Sequence, residues 1–190
     1  MIKKKFEDLY DAEICADAII NDEYHGFKQD YLMLHLLLRK YKPKTVFEIG
    51  CNCGLGTLII KNAVMDSEVY SLDLPHELAH ISLQSPVSEG KGDRVGHLCK
   101  LPFTLIREDS MKYDFSKIPC EAYYVDGEHT FEAVNHETKQ LLKLEPKIII
   151  YHDTNMDCVL DGILNASEGN KNYDFYRITD TRIGYLLRKY

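Results

Sequence analysis

The chain has 190 residues, is 45% hydrophobic and carries a formal net charge of −7. This length and apolar content suffice for one domain with its own core, so we expect residues 1–190 to form a single domain. The acidic charge disfavours a nucleic-acid partner, and no apolar run is long enough to cross a membrane.

The six cysteines lack the paired spacing of a zinc site, and a domain of this size needs no disulfide framework. A reducing cytoplasm is therefore the expected location.

The amino-terminal segment, residues 1–42, is predicted to be a helical cap. Its second half contains the densely apolar run Tyr31–Leu38, and Pro43 ends the helix because proline cannot continue it.

A glycine-rich turn follows the first predicted strand, Thr45–Ile49. Glycines at 50, 54 and 56 mark the turn, and a helix begins behind them. The second predicted strand, Val69–Leu72, ends in Asp73. Such a turn lets a ligand approach bare backbone, and an acid at the next strand end can bind a ribose diol. Together they predict half of a nucleoside-binding crevice.

Residues 75–102 interrupt this alternation. The segment is polar, rich in glycine and long for a simple connection. Two interpretations are open: a lid insertion with substrate contacts, or a loop without a role. We favour the lid, since long ordered loops in compact domains tend to be functional.

The rest of the chain returns to strand and helix alternation. Strands are predicted over residues 103–106, 122–125 and 148–151, with amphipathic helices following Phe131 and Met156. Two further strands, 175–178 and 183–187, flank a tight turn. The pattern predicts an α/β fold: a Rossmann-like three-layer α/β/α sandwich with a seven-stranded, mostly parallel sheet and one antiparallel strand.

Acidic residues occupy nearly every predicted strand end. They are Glu48, Asp73, Glu108, Asp109, Asp126 and Asp153, the last preceded by His152. Ligands of open parallel sheets bind outside these carboxyl ends, so we expect the acids to share one rim. For Asp109 or Asp153 taken alone, a helix cap is an equally good interpretation.

Two motifs resemble those of class I S-adenosylmethionine-dependent methyltransferases. The first is the acid-x-Gly-x-x-x-Gly turn that starts at Glu48. The second is Asp126-Gly-Glu-His with a downstream His152-Asp153, similar to a subfamily that includes sugar and macrolide O-methyltransferases. The resemblance implies a single methyltransferase domain that binds S-adenosylmethionine. The cofactor-binding positions it implies are Glu48, Gly50, Cys51, Asn52, Gly54, Asp73, Asp109, Ser110 and Asp126.

The same resemblance implies a divalent metal at Asp126 and Asp153, with His152 where some relatives have a second acid. Oxygen ligands suit Mg²⁺, whereas a histidine favours Mn²⁺ or a similar ion. A third alternative is that these residues bind no metal. The candidate catalytic residues are His129 and Glu128, which follow Asp126, and His152. Their structural alternatives are a helix-start residue for His129 and a first-turn acid for Glu128.

The leading functional prediction is O-methylation of a small hydroxylated molecule. A nicotinamide-dependent oxidoreductase is an alternative because it shares the nucleoside crevice, although its glycines are usually spaced G-x-G-x-x-G. The second alternative is a non-catalytic nucleoside-binding protein of the same fold. The partner is then a small-molecule acceptor, and homo-oligomer formation stays open.

Overall fold

The computed structural model describes residues 1–11, 28–75 and 95–189, together with Glu13 and Leu78. These residues form eight β-strands and four α-helices. The strands are β1 (Ile2–Lys4), β2 (Thr45–Ile49), β3 (Glu68–Asp73), β4 (Thr104–Arg107), β5 (Ala122–Val125), β6 (Ile148–Tyr151), β7 (Tyr173–Ile178) and β8 (Gly184–Arg188). The helices are α1 (Lys28–Tyr41), α2 (Leu55–Ala63), α3 (Phe131–Lys143) and α4 (Asp157–Ser167).

The strands form one sheet in the order β1-β7-β8-β6-β5-β2-β3-β4. Every neighbouring pair is parallel except the two pairs made by β8 with β6 and β7. The sheet therefore has the single antiparallel strand that the sequence predicts. Parallel strands need a crossover between them, which explains the helices in the alternating region.

Two apolar cores cover the two faces of the sheet. Alternate residues of one strand enter different cores: Val46 packs with α1 and α2, whereas Phe47 packs with α3 and α4. The central strands are buried on both faces, so Ile148–Tyr151 is apolar throughout its length. The three-layer α/β/α sandwich is confirmed.

The amino-terminal cap differs from the prediction. Ile2–Lys4 form a strand, not a helix, and pair in parallel with Tyr176–Ile178 at the edge of the sheet. The sheet consequently has eight strands instead of seven. Lysines are common on edge strands because charge discourages pairing with another chain, and this short segment lacks a periodic apolar signal. The predicted helix at Tyr31–Leu38 is present within α1.

Parts of two predicted segments lie outside the described residues. They are positions 12 and 14–27 of the cap, and 76–94, except Leu78, of the lid segment. Within the described part of the chain, the helices are too short or too polar to traverse a lipid bilayer.

Candidate active site

A cavity of about 340 Å³ lies at the carboxyl ends of the parallel strands. This volume is within the range of small-molecule pockets. Its walls are largely apolar, with Ile49, Leu72 and Ala133 among the contributors. The predicted site residues that line it are Gly50, Asn52, Asp73, Asp109, Ser110, Asp126 and Glu128. The acids of separate strands thus meet at one rim, as the strand-end pattern predicts.

The turn after β2 requires glycine at position 50. Gly50 has a φ of +95°, and a Cβ atom there would lie 2.1 Å from the carbonyl oxygen of Asp126. A side chain has no room at that distance, and its backbone conformation would be strained. Gly50 therefore lets the turn after β2 approach the turn after β5 closely, and backbone forms this part of the cavity wall.

Asp73 connects the end of β3 to the same turn. Its Oδ2 atom accepts a hydrogen bond of 2.6 Å from the backbone N–H of Asn52. Asn52 has a φ of +46°, in the left-handed region that asparagine tolerates better than most residues. The carboxylate is thus oriented by the turn while it lines the cavity.

Glu48, Cys51 and Gly54 lie behind the cavity wall and not in its lining. The Glu48 side chain is fully buried, and its Oε2 atom accepts hydrogen bonds of 2.5 Å from Thr57 and from Ser71. Burial raises the pKa of Glu48 to about 8, a rise that these two hydrogen bonds only partly offset. Glu48 supports the glycine turn from inside and does not reach the cavity surface.

Gly54 has a packing role in addition to the predicted one, which stays a prediction. A Cβ atom on Gly54 would lie 2.7 Å from the Cα atom of Gly96, so the facing space is filled by protein backbone. The Cys51 side chain is buried as well, near the Thr57 hydroxyl. Glycine 54 permits the 95–98 turn to pack against the glycine turn, which the local sequence pattern does not reveal.

Asp109 and Ser110 line another part of the cavity, after β4. The Asp109 Oδ1 atom accepts a 2.9 Å hydrogen bond from the N–H of Met111, and its Oδ2 atom lies 3.3 Å from the Lys112 ammonium. The carboxylate therefore stabilises its own turn and caps no helix, since residues 110–112 form a turn, while the turn itself forms cavity surface.

Glu137 is a buried acid near this turn that the sequence interpretation missed. It lies one helical turn after Ala133, on the same face of α3, and is 0% exposed. Burial raises its pKa to about 7, and the Ser110 hydroxyl offsets only part of the rise. Its spacing from Val134 placed it on the packed face of the helix, a signal that could have identified it.

Asp126 lies between the cavity and a group of charged side chains. Its Oδ2 atom accepts a 2.9 Å hydrogen bond from the Tyr124 hydroxyl, and its Oδ1 atom lies 3.3 Å from His152 Nδ1. Burial alone would raise the pKa of Asp126, but the nearby imidazoles of His129 and His152 outweigh it and hold that pKa well below its usual value. Asp126 is therefore a carboxylate at neutral pH.

His129 lies between two carboxylates. Its Nε2 atom is 3.6 Å from Asp126 Oδ1 and 3.2 Å from Asp153 Oδ2. Contact with Asp126 raises the pKa of His129, and burial opposes that rise only in part. The imidazolium form is thus stabilised, which is the form that a histidine takes after it accepts a proton. Glu128 is exposed at the cavity.

His152 is more deeply buried, 7% exposed, and contacts three carboxylates. Burial disfavours its charged form, yet contacts with Asp126, Asp153 and Asp30 raise its pKa to about 11. Asp30, from α1, and Arg182, from the turn between β7 and β8, complete this group and were missed by the sequence interpretation. We call the set the rim cluster. Its members are Asp30, Asp126, His129, His152, Asp153 and Arg182.

Three residues of the rim cluster fit a divalent metal ion. Ligand atoms of Asp126, His152 and Asp153 all lie within 4.8 Å of one another. His152 Nδ1 is 3.3 Å from one carboxylate oxygen and 3.0 Å from the other. Two ligands at about 2.1 Å from an octahedral ion lie about 3.0 Å apart, which matches these spacings. The two oxygen donors and one nitrogen donor are the set that the family resemblance implies, and metal binding itself stays a prediction.

Comparison with known proteins supports the fold. No family model matches the chain, and neither does any curated protein. Solved structures do match. The methyltransferase PaMTH1 of Podospora anserina, bound to SAH, is 16% identical over 97% of this chain and 85% of its own, with a TM-score of 0.59. The O-methyltransferase TomG of Streptomyces achromogenes, in complex with SAM, is 14% identical over 92% of this chain and 83% of its own, also with a TM-score of 0.59.

A third similar structure contains a metal. The MycE methyltransferase of the mycinamycin biosynthetic pathway, in complex with Mg, SAH and mycinamycin VI, is 15% identical over 80% of this chain and 47% of its own, with a TM-score of 0.53. The chain shares the fold of these methyltransferases. At these identities the likeness concerns the fold, so the residue assignments depend on the geometry of the site itself.

Proposed function

We propose that this protein is an S-adenosylmethionine-dependent methyltransferase that methylates an oxygen of a small hydroxylated molecule. The observation that carries the proposal is the cavity at the strand ends, which is lined by the bare turn at Gly50, the oriented carboxylate of Asp73 and the rim-cluster residue Asp126. Similar structures hold SAM or SAH, which supports this choice of cofactor.

The cavity offers a separate contact for each part of the cofactor. Asp73 would accept hydrogen bonds from the two ribose hydroxyls, because its carboxylate has acceptor capacity beyond the bond from Asn52. The turn at Asp109 and Ser110 would contact the adenine, and the backbone at Gly50 would leave room for the methionine part. Asp126 would then lie next to the methyl group.

The chemistry requires little from the protein beyond alignment and proton removal. The acceptor oxygen forms a bond to the methyl carbon while the bond from carbon to sulfur breaks, which converts the sulfonium to a neutral thioether. An oxygen held in line with that bond reacts far faster than one in free solution. The proton of the acceptor hydroxyl would pass to His129, since Asp126 and Asp153 stabilise the imidazolium that results. Glu128, exposed at the cavity, is the second candidate base.

Asp126, His152 and Asp153 would hold Mg²⁺ or Mn²⁺. When bound, such an ion supplies positive charge that lowers the pKa of a nearby hydroxyl. The MycE structure contains Mg, which supports a metal in this fold without assigning one to this chain. If no ion binds, His129 would act as general base alone, because the three carboxylates around His152 keep that second candidate protonated.

The acceptor is inferred only by class. The rim cluster offers both hydrogen-bond donors and acceptors, which suits a sugar or another polyhydroxylated molecule. The net charge of −7 argues against a nucleic-acid acceptor. We place the reaction in the cytoplasm, where the six cysteines would stay reduced.

Two measurements test the proposal. Calorimetric titration with S-adenosylhomocysteine should give one site per chain, whereas NAD should give no heat of binding; the reverse result would favour the oxidoreductase. Incubation with methyl-labelled S-adenosylmethionine and a panel of sugars and phenols should transfer label to at least one hydroxyl. Cofactor binding without transfer to any of them would favour the non-catalytic protein.

A further inference from the structure

Asp30 joins helix α1 to the rim cluster through His152. The Asp30 side chain is in the first turn of α1 and only 4% exposed, and its Oδ2 atom lies 3.3 Å from His152 Nε2. The other ring nitrogen, Nδ1, faces Asp126 and Asp153. The imidazole thus lies between one carboxylate on its outer side and two on the side of the proposed metal site.

Arg182 fixes the position of Asp30. Its backbone N–H donates a 2.9 Å hydrogen bond to Asp30 Oδ1, and its Nε–H donates one of the same length to Oδ2. Its Nη1 atom also donates to Asp153 Oδ1 at 3.1 Å. One planar guanidinium therefore holds both the outer carboxylate and a proposed metal ligand, a geometry that a single ammonium group cannot reproduce.

The position of Asp30 determines which ring nitrogen of His152 is available to a ligand. Both ring nitrogens of His152 face carboxylates, so each carries a proton when no cation is present. A cation held by Asp126 and Asp153 would take the place of the proton on Nδ1, whereas Asp30 would keep its acceptor contact with the Nε2–H. Metal-binding histidines commonly donate their second N–H to a carboxylate in this way.

We propose that Asp30 is a positioning residue that makes His152 a metal ligand through Nδ1, and that Arg182 keeps Asp30 in place. The inference rests on the metal site of the proposed function and names the ion that suits it. One imidazole with two carboxylates favours a first-row ion such as Mn²⁺ over Mg²⁺, which prefers oxygen ligands. Helix α1 is then part of the site and not only a cover for the sheet.

The test is a titration of the full chain with Mn²⁺ alone. The electron paramagnetic resonance signal of the free ion measures how much Mn²⁺ stays unbound. Asp30→Asn keeps the shape and one acceptor oxygen but removes the charge. It should weaken Mn²⁺ binding about 10- to 100-fold. The matched control is Asp174→Asn, because Asp174 pairs with Lys189 at 2.8 Å at the opposite end of the sheet. This control should bind Mn²⁺ within about twofold of the parent.

A second variant separates positioning from loss of structure. Arg182→Lys keeps the charge and should also weaken Mn²⁺ binding, whereas Arg188→Lys, at the exposed pair with Glu145, should not. Affinity for S-adenosylhomocysteine should be unchanged in all four variants. If Asp30→Asn unfolds, the Mn²⁺ affinity of Arg182→Lys decides whether the inference holds.

Two results overturn the inference. Parent-like Mn²⁺ affinity in folded Asp30→Asn, or in Arg182→Lys when Asp30→Asn is unfolded, shows that the contact does not position His152. Absence of Mn²⁺ binding by the parent overturns it too, while the proposed function survives if S-adenosylhomocysteine still binds. A parent chain that binds Mn²⁺ but not S-adenosylhomocysteine contradicts the proposed function and leaves this inference intact.

Discussion

Replacement of Asp73 by alanine should weaken cofactor binding by a predictable amount. The Asp73 carboxylate is the ribose acceptor of the proposed complex, and it also orients the turn through the 2.6 Å hydrogen bond from Asn52. Hydrogen bonds to a charged group contribute about 1.5–3 kcal/mol. Because 1.4 kcal/mol corresponds to a factor of ten, the Kd for S-adenosylhomocysteine should rise about 10- to 150-fold.

Calorimetric titration of three variants measures this effect. Asp73→Asn keeps an oxygen that can accept the hydrogen bond from Asn52, so its loss of affinity should be smaller than that of Asp73→Ala. Asp66→Ala removes an exposed acid that precedes the same strand and should not change the Kd. A folded Asp73→Ala chain whose Kd lies within about twofold of the parent would refute the ribose assignment and the reasoning that places the cofactor in this cavity.

Three further predictions concern stability and metal dependence. Gly50→Ala should lower the free energy of unfolding by about 2 kcal/mol or more, since its Cβ atom would meet the Asp126 carbonyl oxygen; an unchanged melting temperature would contradict this. Glu48, with its pKa raised from 4.5 to about 8, keeps a proton that the unfolded chain releases, so stability should fall as pH rises between these values. Denaturant titrations of Glu48→Gln should show a shallower fall, and an equally steep one would exclude Glu48 as its source. Chelation of metal should reduce methyl transfer while S-adenosylhomocysteine binding persists; full activity in excess chelator would remove the metal from the mechanism.

The sequence predicts the central sheet because the signal there is local. The strand Ile148–Tyr151 is a continuous hydrophobic run that is buried on both faces. Pro146 precedes the strand and the polar pair His152-Asp153 follows it, which marks its bounds in the sequence. Ile2–Lys4 was missed for the opposite reason. That strand is short, charged and held by backbone pairing with β7, so neither periodicity nor composition distinguishes it from a helical or irregular end.

The candidate site divides in the same way. Asp73 and Asp126 are predictable because Asp73 ends one strand and Asp126 directly follows another, and parallel strands bring their ends to one edge. Asp30 and Arg182 are 152 positions apart, and no local pattern predicts that they meet beside His152. The requirement for glycine at position 54 likewise comes from a distant part of the chain, the backbone at Gly96. Contacts of this kind follow from the packed structure and not from a motif.

A crystal structure of the chain with S-adenosylhomocysteine would locate the cofactor. We expect the nucleoside in the cavity at the strand ends, with both ribose hydroxyls within hydrogen-bond distance of the Asp73 carboxylate and the thioether beside Asp126. A ligand bound outside this cavity, or a ribose that contacts neither Asp73 nor the turn at Gly50, would contradict this expectation.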